Sequence, residues 1–455
     1  MSAPLKDDRL AELAGRANVA KFASFAPGGS LRHLVLGGPP PAGIDQLPQA
    51  VAAVRAAAGS TGHQLNVRTF LDRDSRGTPF RYGLRTVEDV VAAVRQLGRA
   101  GYYTIVNETI DVHDGGVSGV LLGGVVEFAP GATPRAVEES AAAALPTGLG
   151  IDLLSIVYGP VELDPEMPGR IEFSVHPARV GTRPASTVLW EQDDVVAPSL
   201  CVRPSWPNAF SRHIGDKAYG LLVAHLLGLP VPGTTVIGRR VAPFAFGADR
   251  DPRAVERWIR TCPVEPQPGL FSSHYGWLDP FALLAREDPS GQRIASVLDQ
   301  HAVDAVFSGA TAMAADGSVL VEGVAGLGDE FMLGSRPAEE LPAAVVDDVA
   351  GLVRRAAAEL GDVRLEWVHD GVRAWVVQLH ASRAVVTSEL LNPGTADRWL
   401  PFHPAEGLDR LRQVVAEADR SNLGVEVTGL VGITSHVGDI IRKAGVPGRL
   451  AARTR

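Results

Sequence analysis

Short apolar runs recur along the chain, and between them lie segments whose apolar residues repeat at helical spacing. HQLNVRTFL (63–71) and YYTIVNETI (102–110) read as strands, whereas TVEDVVAAVRQLGRA (86–100) reads as an amphipathic helix. LEWVHDGVRAWVVQLH (365–380) gives two alternating strands around Asp370-Gly371, which predicts a hairpin. Together these patterns predict an α+β protein. The turn-forming stretch APSLCVRPSWPN, around Val195 to Asn208, predicts a boundary between halves near Cys201.

Three segments of the first half recur in order in the second, the pattern of a tandem duplication. Arg68-Thr69 followed by GTPFRYGL matches Arg260-Thr261 followed by PGLFSSHYGWLDP. GGVSGVLLGGVVEFAPG matches DAVFSGATAMAADGSVLVEGVAGLGDEF, each read as a strand, a Ser-Gly turn and a second strand ending in an acidic residue. GRIEFSVHPARVG with Glu172 matches VRLEWVHDGVRAWVVQLH with Glu366.

Chemistry concentrates in the second half. IGDKAYGLLVAHLLGLPVPGTTVIG opens a helix with a glycine-flanked lysine; glycine admits backbone N–H groups to a phosphate, and Lys217 would add a point charge. By itself the segment is a weak signal, and a solvated lysine on a helix is the commoner outcome. Arg260 in WIRTCPVEPQPGLFSSHYGW is placed at the end of an apolar strand, before a Gly/Ser-rich loop that fits either a phosphate cover or a surface loop. Glu366 and Gln378, twelve positions apart on opposite arms of the hairpin, are brought side by side by strand pairing, and their oxygens suit a hard cation such as Mg2+. Glu322 adds a carboxylate from a neighbouring strand, though both glutamates also fit exposed strand positions. In the first half, Asn107, Glu108, Asp111 and His113 fit either a ligand pocket or a hydrogen-bonded turn.

These motifs, in this order, resemble the nucleotide-binding domain of the phosphoenolpyruvate synthase and pyruvate phosphate dikinase family. IGDKAYGLLVAHLLGLPVP is similar to its GGKGANL...GLPVP opening and IRTC...PGLFSS to its VRSS...SFAG segment. VFSGATAMAADGSVLVEGVAGLGDEFMLG resembles SGVMFT...IEA.WGLGE, and the hairpin resembles IEW...LYILQSRP. The resemblance implies an ATP-grasp domain in which Lys217 and Arg260 hold a triphosphate and Glu366 and Gln378 organise metal and nucleotide, with Glu322 at the adenosine or metal side. It also implies ATP and Mg2+ as cofactors.

The chain departs from the pattern at His380, where the family has an arginine; Arg383 is the candidate substitute. The first-half copy departs further, with no matching glutamine and no GDK-like element before Arg68, and reads as a degenerate module. VEVTGLVGITSHVGDIIRKAGVPGRL is similar to the family's swivelling phosphohistidine domain, GGxTSHxAIxAR...GIP, in truncated form. His436 stands where the phosphorylated histidine would be, and a structural helix cap is the alternative.

The implied organisation is a degenerate ATP-grasp-like domain over 1–200, an ATP-grasp nucleotide-binding domain over 201–388, and a partial phosphohistidine-domain-like segment over 389–455. The implied function is an ATP- and Mg2+-dependent phosphotransferase acting on a separate protein or a small molecule. An ATP-binding regulator without turnover and an ATP-grasp ligase are the alternatives. The net charge of -9 offers no general attraction to nucleic acid or anionic lipid. Cys201 and Cys262 form no metal-binding or disulfide pattern. No leader or run of membrane-spanning length is read, so a cytoplasmic location is expected.

Overall fold

The run Leu65–Phe70 is buried at every position. Two helices cover one face of its sheet with Val51, Val54, Val90 and Val94, while Arg68 on the other face reaches a second sheet at Glu172. The computed structural model describes residues 5–58, 64–71, 78–139, 141–195, 198, 200–248, 256–265, 271, 273–314, 316–381 and 390–451. Two units divide the chain, Met1–Val202 and Arg203–Arg455, each mixing helices with antiparallel sheets, to which the second adds a small mixed sheet near its C-terminal end.

The first unit begins with α1 (Lys6–Leu13) and builds a sheet from β1 (Phe22–Phe25), β2 (Leu31–Val35), β3 (Leu65–Phe70), β4 (Phe80–Leu84) and β5 (Tyr103–Glu108), in the order β2-β1-β5-β3-β4. Helices α2 (Leu47–Ala57) and α3 (Val87–Arg99) pack on it. Thr86 starts α3 by accepting the Asp89 N–H on its side-chain oxygen. The second sheet holds β6 (Val117–Leu122), β7 (Val125–Pro130), β8 (Ala143–Pro146), β9 (Arg170–Val180) and β10 (Ala185–Asp193), in the order β10-β9-β6-β7-β8, with α4 (Thr147–Tyr158) before β9.

The second unit repeats this plan. After α5 (Ala209–Ile214) and α6 (Asp216–Leu226), β11 (Thr234–Gly238), β12 (Phe244–Phe246), β13 (Arg257–Pro263), β14 (Ser273–Tyr275) and β15 (Ile294–His301) form a sheet ordered β12-β11-β15-β13-β14, with α7 (Pro280–Glu287) before β15. Strands β16 (Phe307–Met313), β17 (Val319–Ala325), β18 (Val363–His369) and β19 (Ala374–Ala381) form the next, ordered β19-β18-β16-β17. Helices α8 (Asp329–Leu333) and α9 (Ala343–Leu360) lie between β17 and β18 in sequence. Substituting β11–β15 for β1–β5, and β16, β17, β18 and β19 for β6, β7, β9 and β10, reproduces both strand orders of the first unit except for the edge strand β8, which has no counterpart among the described residues. α1 packs on β10 as α6 packs on β19.

Two local readings are corrected. Ser118-Gly119 and Ser308-Gly309 lie inside β6 and β16 and form no turn. Both glycines are required by close approach: a Cβ on Gly119 would stand 2.4 Å from the Phe173 ring, and one on Gly309 would stand 2.0 Å from the Glu322 carbonyl oxygen. Arg260 is the central residue of β13, not its end.

The C-terminal residues cluster with the second unit. There β20 (Leu390–Asn392), β21 (Trp399–Phe402), β22 (Gly424–Val427) and β23 (Gly448–Leu450) form the order β20-β23-β22-β21, flanked by α10 (Gly407–Ser421) and α11 (His436–Lys443). Leu391, Phe402, Leu411, Val425 and Ile441 make its core, which Ala312 and Leu320 of the preceding sheet extend. No described helix is long and apolar enough to cross a membrane.

Candidate functional site

Strand register builds the floor of the site. Glu322 on β17 pairs with Ala310 on β16, Ala310 with Glu366 on β18, and Glu366 with Gln378 on β19. Residues directly opposite one another project from the same face, so Glu322, Glu366 and Gln378 stand in one row, with the small Ala310 leaving space between the glutamates. Past Gln378 the register skips Val377, and Trp367 pairs with Val376. That bulge turns the Val377 carbonyl toward Arg260, whose Nη1 donates to it at 3.2 Å and to Gln300 Oε1 at 3.4 Å. The Arg260 Nε is buried without a partner.

Lys217 enters from the first turn of α6. Gly215 precedes it at φ 97°, and a Cβ there would meet the Cys262 Cβ at 2.5 Å and the Ser296 Oγ at 2.9 Å, so the chain can bend into the helix only with glycine. Among the described residues the Lys217 ammonium makes no hydrogen bond or ion pair. Burial lowers its pKa, reinforced by Arg260 and opposed by Cys262, Glu366 and Asp216. Burial likewise pushes the Cys262 thiol up to about 11, against the pull of Lys217.

At Glu366 burial raises the carboxyl pKa, but the combined charges of His436, Arg260, His380 and Arg364 outweigh it and leave the group below its ordinary value. Its carboxylate accepts no hydrogen bond among the described residues. The structure therefore places Glu366 opposite Gln378 and within electrostatic reach of Lys217, Arg260 and His436, with Lys217 and Arg260 also within reach of each other. Gln378 also bonds His380, whose Nδ1 lies 3.9 Å from an Asp216 carboxylate oxygen. Arg383 lies outside the described residues, as does most of the loop after β13.

His436 is carried into this neighbourhood by its own segment. One Glu322 oxygen accepts the Thr434 N–H at 2.8 Å and the Thr434 hydroxyl at 2.9 Å. Arg364 donates to the Thr434 carbonyl at 2.8 Å and pairs with Asp439, which Arg442 also holds at 2.8 Å. Burial would raise the Asp439 pKa, yet Arg364, His436 and Arg442 drive it far below the ordinary carboxylate range. The His436 Nδ1 sits 3.6 Å from an Asp439 oxygen, and its Nε2 is bonded to no described residue.

The first unit holds the same positions in a closed state. Glu127, Val120, Glu172 and Glu191 form the corresponding row, Trp190 occupies the matching bulge, and Arg68 donates to the Trp190 carbonyl at 3.0 Å. Here Arg68 is bound to both Glu172 and Glu191, Lys6 to Glu191 and Asp193, and Arg170 to Glu172. Lys6, at the start of α1, occupies the place that sequence reading left empty; it was missed because no glycine precedes it. Glu191 and Asp193 stand where the second unit has Gln378 and His380, so two carboxylates are absent around Lys217 and Arg260.

Sequence reading also missed Arg364, Asp439 and Asp329. The repeat Arg170-x-Glu172 against Arg364-x-Glu366 is the signal for the first; Asp439 and Asp329 carry none. Burial raises the Asp329 pKa, with Arg260 opposing and Glu366 adding to the rise. Asp111 accepts the His113 N–H at 2.9 Å, the turn reading, and Glu108 accepts the N–H groups of Lys21 and Gly181. Asp7, Asp8 and His33 approach within 4.8 Å, but Arg32 already bonds both carboxylates.

Removing the Lys217 charge has a defined pH signature. Between its lowered folded pKa and the ordinary 10.5, the unfolded chain binds more protons, so this lysine's contribution to stability rises with pH across that window. Lys217→Met is expected to raise stability at neutral pH, with the difference from wild type shrinking toward pH 10.5. Denaturation midpoints of both proteins across alkaline pH check this, and a constant difference would refute it.

No family model and no curated protein matches the chain.

Proposed function

We propose that the second unit is an ATP-grasp-like module of the phosphoenolpyruvate synthase type, acting as an ATP- and Mg2+-dependent phosphotransferase through His436. The observation that carries this reading is a pair of cations, Lys217 and Arg260, that form no ion pair with a carboxylate among the described residues, beside Glu366 and a histidine whose Nε2 is bonded to no described residue. The paired counterparts in the first unit mark it as the module that does not take a phosphate.

The residues fit the implied ligands. Lys217 supplies an ammonium unpaired among the described residues and Arg260 a guanidinium N–H without a described partner, the donors a polyphosphate needs. Glu366 and Gln378 offer adjacent oxygens without a direct ion pair among the described residues like that of Arg68 with Glu172, and would hold Mg2+. When bound, the metal neutralises phosphate charge. Lys217 and Arg260 stabilise the equatorial oxygens of the transferring group, in a site where burial strengthens each charge.

Asp439, 3.6 Å from the His436 Nδ1, orients the ring, and the Nε2 lone pair attacks phosphorus. An N–P bond forms, the P–O bond to the nucleotide breaks, and the departing oxygen keeps the electron pair. A small molecule or another protein then takes the phosphoryl group. His380 replaces the arginine of the resembling family and leaves the leaving-group side less positively charged.

Incubation with β- and γ-labelled ATP tests the reading. Acid-labile label on the wild type that disappears in His436→Ala is the expected result. Label that survives the substitution would indicate direct transfer. ATP bound without consumption would replace the phosphotransferase by a nucleotide-gated regulator.

A further inference from the structure

Beside Arg260 on β13 stands an aromatic corner that the phosphotransfer chemistry leaves unused. Residues two apart on a strand share a face, so Trp258, Arg260 and Cys262 point the same way, while Ile259 between them packs with Leu283 and Leu284 of α7. At one end of this row α6 begins against Cys262, which brings Lys217 within electrostatic reach. Trp258 ends the other.

Strand pairing sets Trp258 opposite Gln300 on β15 and Tyr275 on β14. The two rings meet edge to face with centroids 5.1 Å apart, and the Arg260 guanidinium carbon lies 5.6 Å from the Trp258 ring. Trp258 is half-buried and Tyr275 51% exposed, and the Tyr275 hydroxyl donates to Glu256, which fixes the ring. Gln300 is buried and engaged: its Oε1 accepts from Arg260 at 3.4 Å and its Nε2 donates to Thr234 at 3.2 Å.

The duplicated unit shows that the fold itself does not ask for the indole. Asn66 stands at the equivalent place, paired with Asn107 as Trp258 is with Gln300, and its amide oxygen accepts the Gly83 N–H at 3.0 Å. The tyrosine occurs in both units, Tyr82 and Tyr275 each lying two residues after the arginine's β-strand partner. The indole is therefore added where the neighbouring arginine forms no ion pair with a described carboxylate, whereas Arg68 beside Asn66 is bound to Glu172 and Glu191.

An accessible aromatic pair next to the cation that phosphates are assigned to matches a ligand carrying both a planar ring and phosphates. Trp258 and Arg260 are separated by about 6–7 Å along the strand, a distance that one ribose spans between base and first phosphate. One Glu322 oxygen is already taken by Thr434, so the ring is assigned to this corner rather than to Glu322.

We propose that Trp258 and Tyr275 form the base subsite of the nucleotide site, stacking a purine ring whose phosphates reach Arg260 and Lys217. The inference rests on the nucleotide reading of the second unit and adds to it the residues that hold the ring.

Calorimetric titration of the full chain with ATP and, separately, ribose 5-triphosphate, both with Mg2+, tests it, because the second ligand offers the same phosphates and sugar without the ring. ATP is expected to bind about tenfold or more tightly. Trp258→Ala is expected to remove most of that difference by weakening ATP alone, and Trp258→Phe, which keeps a ring, to retain most of it. Tyr275→Leu, at an exposed position, is expected to narrow the difference, so the result stands even where Trp258→Ala misfolds. A difference that survives either Trp258→Ala or Tyr275→Leu, one lost equally in Trp258→Phe, or equal affinities for the unaltered protein would overturn the base subsite and leave the phosphate site in place. Binding of neither ligand would overturn the nucleotide reading itself and this proposal with it.

Discussion

Arg68→Met is expected to cost about 3–5 kcal/mol of stability, whereas Arg260→Met, at the equivalent position, leaves stability within about 1 kcal/mol and instead slows phosphoenzyme formation about 10²–10³-fold. Arg68 is the common partner of Glu172, 2% exposed, and Glu191, 6% exposed, so its loss strands buried carboxylates. Arg260 has no carboxylate partner among the described residues; its bonds go to a carbonyl and an amide, and its Nε is unsatisfied. Methionine keeps the aliphatic stem and removes a half-buried charge that forms no ion pair with a described carboxylate and is felt by Glu366 and Asp329 only through space. Denaturant titrations of both variants and the rate of acid-labile labelling measure the two arms. A comparable destabilisation at both positions, or labelling untouched by Arg260→Met, would show that the second cluster is structural like the first.

The second large effect concerns the histidine segment. Asp439→Ala leaves Arg364 without its carboxylate partner and takes the same partner from Arg442, and is expected to cost about 3–5 kcal/mol. Phosphoenzyme formation is expected to fall with it, because Arg364 ties Thr434, two residues before His436, to β18. Since the folded pKa of Asp439 is depressed, its stabilisation is complete above the ordinary carboxylate value of 3.8 and declines as pH falls below it. The difference between wild type and variant in denaturation midpoint is therefore expected to narrow below that pH. A gap that persists unchanged in acid would place the energy elsewhere. Combining Arg364→Met with Asp439→Leu is expected to recover much of the stability, as an apolar pair replaces a buried ionic one.

Much of the second unit was legible along the chain. The β18–β19 hairpin followed from alternation around Asp370-Gly371, and its pairing set Glu366 opposite Gln378. The duplication followed from three recurring segments, which the strand orders of the two units extend across nine strand pairs of position. The first unit was harder, because Lys6 has no glycine before it, and Glu191 lies on β10, beyond the segment in which a glutamine was sought. Pairing between distant residues leaves no mark on local spacing.

The sequence by itself determined the strands, helices and repeated order, because these depend on periodicity, caps and close-approach glycines that act over a few residues. Only the tertiary structure decided which cluster was closed and which open. The two rows carry nearly the same residue types, and their difference arises when Glu191 and Asp193 reach Lys6 and Arg68 while Gln378 and His380 leave Lys217 and Arg260 without an ion pair among the described residues. Charge compensation depends on distance in space and on burial, and both are set by packing between segments far apart in the chain.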